Sequence, residues 1–193
     1  MVKVISESIG TFSQHYPRVA VIVTAQAKEQ ANAMAVAWHS VISVNPPLYG
    51  VSIAPKRFTY ELIAQSKEFG VNFLPFEMAE LVASVGGSSG REIDKLQKFN
   101  IALDKPVKTA VPILKDAYAA YECKLVDDRL YGDHRLLVGE IVAVHWLEEA
   151  FTREGILDSD RISPILYLGR DVYLTTAKNT VRHIDREVYS KII

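Results

Sequence analysis

Between Ser52 and Thr59 the chain sets two hydroxyls around two adjacent cations, Lys56 and Arg57, all within eight residues. An alternating run ends at Ala54, Pro55 interrupts it, and Thr59 is followed by Glu61, Leu62 and Ile63 in helical order. Thr59 therefore reads as a helix N-cap, its hydroxyl accepting from otherwise unpaired amides. Helix-start amides, a hydroxyl and Arg or Lys are the groups that bind a phosphate dianion. A solvated basic turn with an ordinary cap has the same sequence, and the stretch alone leaves both readings open.

Other chemical templates fare worse. The five histidines (15, 39, 134, 145 and 183) are scattered, with no H-x-x-x-H or C-x-x-C pair, so nothing has metal-ligand spacing. No G-x-S-x-G elbow occurs. The "GGSSG" stretch at 86–90 lacks the Lys-Ser/Thr of a phosphate-binding P-loop and joins two helical runs, so it reads as a flexible loop. Cys123 alternates with apolar neighbours and reads as a small core residue. His134 follows Gly132-Asp133 at a hairpin, where it either faces water or serves a ligand.

The elements that must position these residues are mostly strands. Runs at 19–25, 32–45, 48–54, 69–75, 117–127, 134–147 and 165–169 are β-branched or alternating, with "DDRLYGD" as the turn between the two long ones. Helical patterns follow Thr59 and occupy 77–85 and 91–99, and Val181, Ile184, Val188 and Ile192 recur at helical spacing in the tail. Regular β-α alternation is missing, so the pattern predicts an antiparallel β-barrel with inserted helices, not a doubly wound sheet. The whole of 1–193 reads as one domain, with 176–193 a packing helix at its end.

Composition sets the outer bounds. The 193 residues are 49% hydrophobic and 23% charged, with a net charge of −1, which argues against a general nucleic-acid binder. Any phosphate recognition must therefore be local. A single cysteine and a mixed, polar stretch at 1–16 point to the cytoplasm, and no run is long enough to span a membrane.

Over roughly residues 15–170 the chain resembles the flavin reductase-like, FMN-binding split-barrel family. The resemblance rests on "HYPRVAVIVTA", "NAMAVAWHSVISVNPPLYGVSIAPKRFTYELI", "EFGVNFLP", "GGSSGREIDKLQKF", "YECKLVDDRLYGDHRLLVGEIVAVH" and "PILYLGRDVY", in that order. It implies an antiparallel split barrel, a homodimer with FMN near the subunit boundary, and NADH or NADPH as hydride donor. Ser52, Lys56, Arg57 and Thr59 would hold the FMN phosphate, with Phe58 beside them. The backbone of Met34, Ala35, Val36, Ala37 and Trp38 would run along the isoalloxazine, and Asn32, Ser40, Ile53 and Ala54 would complete the flavin site. His134 would position the nicotinamide. Two positions depart from the family pattern: Ala37 stands where serine is frequent, and Leu62 where asparagine is. The implied activity is hydride transfer from NAD(P)H, with electrons passed to free flavin, ferric complexes or a protein acceptor. An FMN electron carrier and a non-catalytic binding protein of the same fold are the alternatives.

Overall fold

Two residues close the barrel. In the computed structural model, which describes residues 1–10 and 12–190, strands β1 (Arg18–Val19), β2 (Val21–Ala27) and β3 (Gln30–Val36) are followed by β4 (His39–Ser43) and β5 (Leu48–Ile53). After helix α1 (Phe58–Ser66) come β6 (Glu68–Phe73), a 3-10 turn at Phe76–Met78, and helices α2 (Ala79–Gly86) and α3 (Lys95–Lys98). The second half holds β7 (Leu103–Asp104), β8 (Ile113–Leu114), β9 (Ala119–Tyr131), β10 (His134–Trp146), β11 (Leu166–Gly169), β12 (Val172–Leu174) and α4 (Arg186–Tyr189).

The main sheet is antiparallel with the order β3-β2-β6-β9-β10-β5-β4, so β3 and β4 are its opposite edges. In a flat sheet those edges would lie about 29 Å apart, at about 4.8 Å per strand. Only Ala37 and Trp38 separate the two strands in sequence, a link that spans at most about 11 Å. The sheet must therefore roll up until its edges meet. The Ser52 amide donates to the Trp38 carbonyl at 2.8 Å across that junction. The expected split barrel is the observed fold.

Both faces of β2 are buried, which explains its unbroken apolar run. Val21, Val23, Ala25 and Ala27 point into the barrel with Val51, Ile53, Leu62, Phe69 and Cys123. Ile22 faces a second core beneath the α2 and α3 region, formed with Ala33, Leu74, Val82, Val85 and Ile113. Leu62, the departure from the family's asparagine, is 1% exposed in the barrel core. Gly139 sits at a β-bulge in β10, where a Cβ would lie 2.6 Å from the Phe69 ring.

Several sequence expectations are corrected. The run 32–45 is two strands that pair at opposite ends of the sheet, not one. The residues Asp127–Tyr131 are strand, and the turn shrinks to Gly132-Asp133, with Gly132 at φ 61, the left-handed start that suits a two-residue hairpin. The helix expected over 91–99 is a single turn, Lys95–Lys98. The tail is helical only at Arg186–Tyr189, Val181, Ile184 and Val188 are exposed, and Ile192 lies outside the described residues. No helix among the described residues is long and apolar enough to cross a membrane.

Candidate functional site

The basic turn opens a cleft of about 230 Å³ lined by Asn32, Met34, Lys56, Arg57, Thr59, Arg91, Lys95 and the 86–90 loop. Strand β5 carries the chain outward, the Arg57 amide closes a turn on the Ala54 carbonyl at 3.0 Å, and α1 starts at Phe58. The cap of α1 is Arg57, with extended backbone and no capping side chain. Thr59 is thus not the N-cap that its sequence context predicts. It sits in the first turn, 1% exposed, where its hydroxyl accepts from the Asn32 amide Nδ2 at 2.8 Å. A buried hydroxyl needs a partner, and Asn32 on β3 is within reach. That bond uses one of the hydroxyl's two acceptor positions and leaves its O–H to donate. The Asn32 Oδ1 is itself buried and has no partner among the described residues.

Among the described residues four cations line this cleft and no carboxylate does. Arg91 is partly satisfied from outside the lining, by Glu61 on α1 at 2.6 Å, and its guanidinium lies 5.3 Å from the Phe58 ring centroid. Lys56 and Arg57 form no ion pair among the described residues. Lys95 is 4% exposed, and its ammonium donates to the carbonyls of Ala33 (3.1 Å) and Val85 (2.8 Å). Burial first, and the Arg57 charge second, pull its pKa down to about 8. Lys56, Arg57 and Arg91 are exposed and only Lys95 is buried, so water screens part of the repulsion among these like charges, and an anion would remove the rest.

The 86–90 loop is more than the flexible connector its sequence suggests. Ser88, Ser89 and Gly90 form one wall, and a Cβ on Gly90 would lie 2.2 Å from the Asn32 Oδ1, so only glycine lets the loop approach β3 this closely. Arg91 and Lys95, four residues apart, escaped the sequence reading. A Gly/Ser stretch followed by cations one helical turn apart was the signal available.

Beyond Ala35 and Gly86 the cleft continues into a second hollow of about 190 Å³, lined by Val36, Ala37, Val82, Tyr167, Tyr173 and one carboxylate, Asp171. Each hollow alone falls short of the roughly 300–1,000 Å³ of small-molecule pockets, and joined they reach it. Strand β3 forms their shared wall as a sheet edge, paired on one side only. In an antiparallel pair alternate residues turn their N–H and C=O outward. The Ala33 carbonyl is one of these, since it accepts from Lys95, and Ala35 shares its parity. Small side chains leave that backbone reachable.

The remaining expected residues divide. Ser40, Ser52 and Trp38 line a separate groove of about 480 Å³ with Phe12, His15, His39 and Leu136, so Ser52 does not join Lys56, Arg57 and Thr59 in the cleft. Ile53 is 0% exposed and offers a ligand only its backbone, and Val36 and Ala54 are buried too. Trp38 is half-buried at the groove and not core, with its Nε1 donating to the Tyr16 hydroxyl at 3.1 Å. His134 packs against Trp38 with ring centroids 4.8 Å apart and donates from Nδ1 to Asp133 Oδ1 at 2.8 Å. With 27% of its side chain exposed, it is not a histidine pointing freely into water. Beneath Trp38, His39 donates from Nε2 to the Val19 carbonyl (2.9 Å) and accepts from the Tyr49 hydroxyl (2.7 Å). Burial lowers its pKa, so it stays neutral.

The site thus joins an antiparallel split barrel, a cleft lined by four cations and the free edge of β3. The chain belongs to the flavin reductase-like domain family, whose model matches residues 13–175. It is 39% identical over 136 residues to an uncharacterized protein of Pyrococcus abyssi, covering 70% of this chain and 78% of that one. Among solved structures it is similar to an FMN-binding protein from Thermus thermophilus crystallised with 1-cyclohex-2-enone, at 34% identity and a TM-score of 0.84, covering 95% and 99% of the two chains. A flavoredoxin from Methanosarcina acetivorans is similar at 27% identity and the same TM-score of 0.84, covering 98% and 100%.

Proposed function

We propose that the protein is an FMN-dependent oxidoreductase that takes hydride from NADH or NADPH and delivers electrons to free flavin, a ferric complex or a protein acceptor. The observation that carries this reading is the cleft itself: four cations, no lining carboxylate and an orphaned buried amide oxygen, in a chain of net charge −1. That donor set suits a phosphate dianion with hydroxyls attached, which is what FMN brings. Family membership and the similarity to an FMN-binding protein point the same way.

In this reading Lys56, Arg57, Arg91 and the Thr59 hydroxyl hold the phosphate, together with the unpaired amides at the start of α1. The Asn32 oxygen accepts from a ribityl hydroxyl. The outward backbone of Ala35 and Ala37 faces the polar edge of the ring, and Met34 packs beside it. When bound, FMN supplies a two-electron acceptor for hydride. His134, oriented by Asp133 and braced on Trp38, positions the nicotinamide and moves no proton. Ser52 acts through its backbone, tying Trp38 in place, and Ser40 borders the groove where a donor would enter.

The protein acts as a homodimer in this proposal. The exposed apolar side chains Val41, Ile42 and Val44, on and just beyond edge strand β4, give a second copy a surface to cover. An electron carrier with bound FMN but negligible NAD(P)H oxidation is the second reading, supported by the likeness to a flavoredoxin. Anaerobic stopped-flow with each nucleotide, followed at the flavin band, separates them. Bleaching on the timescale of turnover supports the oxidoreductase, and a flavin reduced by dithionite but not by either nucleotide overturns it.

A further inference from the structure

The Lys95 ammonium has three N–H donors. Two are committed to main-chain carbonyls on different elements: Ala33 on the open edge of β3, and Val85 in the last turn of α2. Lys95 thereby staples the end of α2, where the 86–90 loop begins, to the strand that forms the opposite wall. The third donor has no partner among the described residues and belongs to a side chain that lines the cleft.

The charges around it are one-sided. The turn before α1 presents Lys56 and Arg57, and the loop before α3 presents Arg91. Glu61 on α1 is engaged by Arg91 at 2.6 Å, and Asp94 is turned away to cap α3 through the Gln97 amide at 3.1 Å. Strand β3 and helix α2 offer only the Ala33 and Val85 carbonyls. The ammonium is thus held by dipoles and faced by cations, with its counter-charge missing.

We infer that Lys95 is the positioning residue of the cleft, stapling its two walls together and turning its third N–H to the bound phosphate, so that in alkaline solution anion capture draws a proton onto the protein. The identity of the phosphate bearer as FMN rests on the function proposed above, whereas the proton coupling rests on the cleft alone. The linkage has a definite sign. In the empty cleft the ammonium is half lost at pH about 8, and a neighbouring dianion restores it. Affinity for the dianion is therefore flat below that pH and falls above it, by about tenfold between pH 7 and pH 9. Riboflavin, which has no phosphate, follows no such curve.

Calorimetric titration with FMN at pH 7 and pH 9, in two buffers of different ionisation enthalpy, reads the proton directly. Uptake near one proton per FMN at pH 9, near zero at pH 7 and absent with riboflavin is the expected result. Lys95→Arg keeps a permanent charge and should bind FMN with no uptake and no loss between the two pH values. Lys95→Met should bind more weakly at pH 7 and also lack the uptake. Parental protein without uptake at pH 9, or uptake that persists in either variant, overturns the inference. Inorganic phosphate serves as the second probe. If phosphate shows the Lys95-dependent uptake while FMN binds no tighter than phosphate, the inference stands and the flavin reading falls. Tight FMN binding with no Lys95-dependent proton has the opposite meaning.

Discussion

Arg57→Ala should separate what the cleft does for a ligand from what it does for the empty protein. Arg57 has no carboxylate partner among the described residues, and its charge is the second cause, after burial, of the depressed Lys95 pKa of about 8. A hydrogen bond from a charged donor contributes about 1.5–3 kcal/mol, so its removal should weaken FMN by roughly 12- to 150-fold. Relief of Lys95 adds little at pH 7, where its ammonium is already mostly present, so the loss should stay within that range. Without ligand the same change removes a like-charge repulsion, so the apo protein should melt no lower than the parent, and higher at low salt. Quenching of flavin fluorescence at pH 7 measures both ligands, and Arg57→Ala should leave riboflavin affinity within about twofold. Equal losses for FMN and riboflavin would remove Arg57 from the phosphate site. An apo protein clearly destabilised by the substitution would refute the account of Arg57 as a cation with no compensating partner.

His134→Ala should leave FMN affinity and spectrum unchanged yet slow reduction by subsaturating NAD(P)H by about ten- to a hundredfold, while dithionite reduction stays at the parental rate. Rescue by His134→Asn or Gln would assign a hydrogen bond and rescue by His134→Phe stacking; a parental rate across the full nucleotide series would refute the role. Gly90→Ala drives a methyl into Asn32, and loss of the Asn32–Thr59 bond should weaken FMN by about 0.5–1.5 kcal/mol, read by the same fluorescence titration. Glu122, 0% exposed, accepts from the amides of Val107, Lys108 and Thr109, from the Thr109 hydroxyl and from His145, which outweigh burial and bring its pKa to about 2. A carboxylate lowered from 4.5 contributes stability above pH 4.5 that vanishes as pH falls toward 2, on the order of 3 kcal/mol; Glu122→Gln should unfold at lower urea at pH 7 and lose that slope, and parallel pH curves for the two proteins would refute it.

The barrel was legible in the sequence because its strands are either fully apolar or cleanly alternating, as β2 and β9 are. What failed was anything decided by a distant partner. The run at 32–45 carries no residue that marks a break, since the reason for it is that β3 bonds to β2 and β4 to β5. The residues Asp127–Tyr131 looked like a turn because that end of β9 is largely exposed and polar, although its backbone pairs with β10 throughout. Lys56, Arg57 and Thr59, which line one cleft, were read together because they lie within four residues of one another. Arg91 and Lys95 were not, because they enter the cleft from a segment more than thirty residues away from Arg57. Thr59 was read as a cap, whereas the structure makes it a buried partner for Asn32, and the two tasks ask for the same residue type.

The same closure that defeats sequence reading concentrates the site. Val36 belongs to the ladder with β2, and Trp38 already bonds to Ser52 of β5, so Ala37 lies in neither ladder. Around that change of partner the fold brings together the free edge of β3, the outlet of β5 into the basic turn, and His134 at the start of β10 against Trp38. A sheet that stayed open would leave the β3 edge about 29 Å from β4 and separate it from the aromatic groove. Nor could a long loop replace the two-residue link without freeing Trp38 from Ser52, and with it the surface on which His134 rests. The basic cleft is built by the turn before α1, the edge of β3 and the segment from the end of α2 to α3. Its pairing with an aromatic groove is what the closed barrel adds, and the proposed transfer from a nicotinamide to a phosphate-anchored flavin would use that pairing.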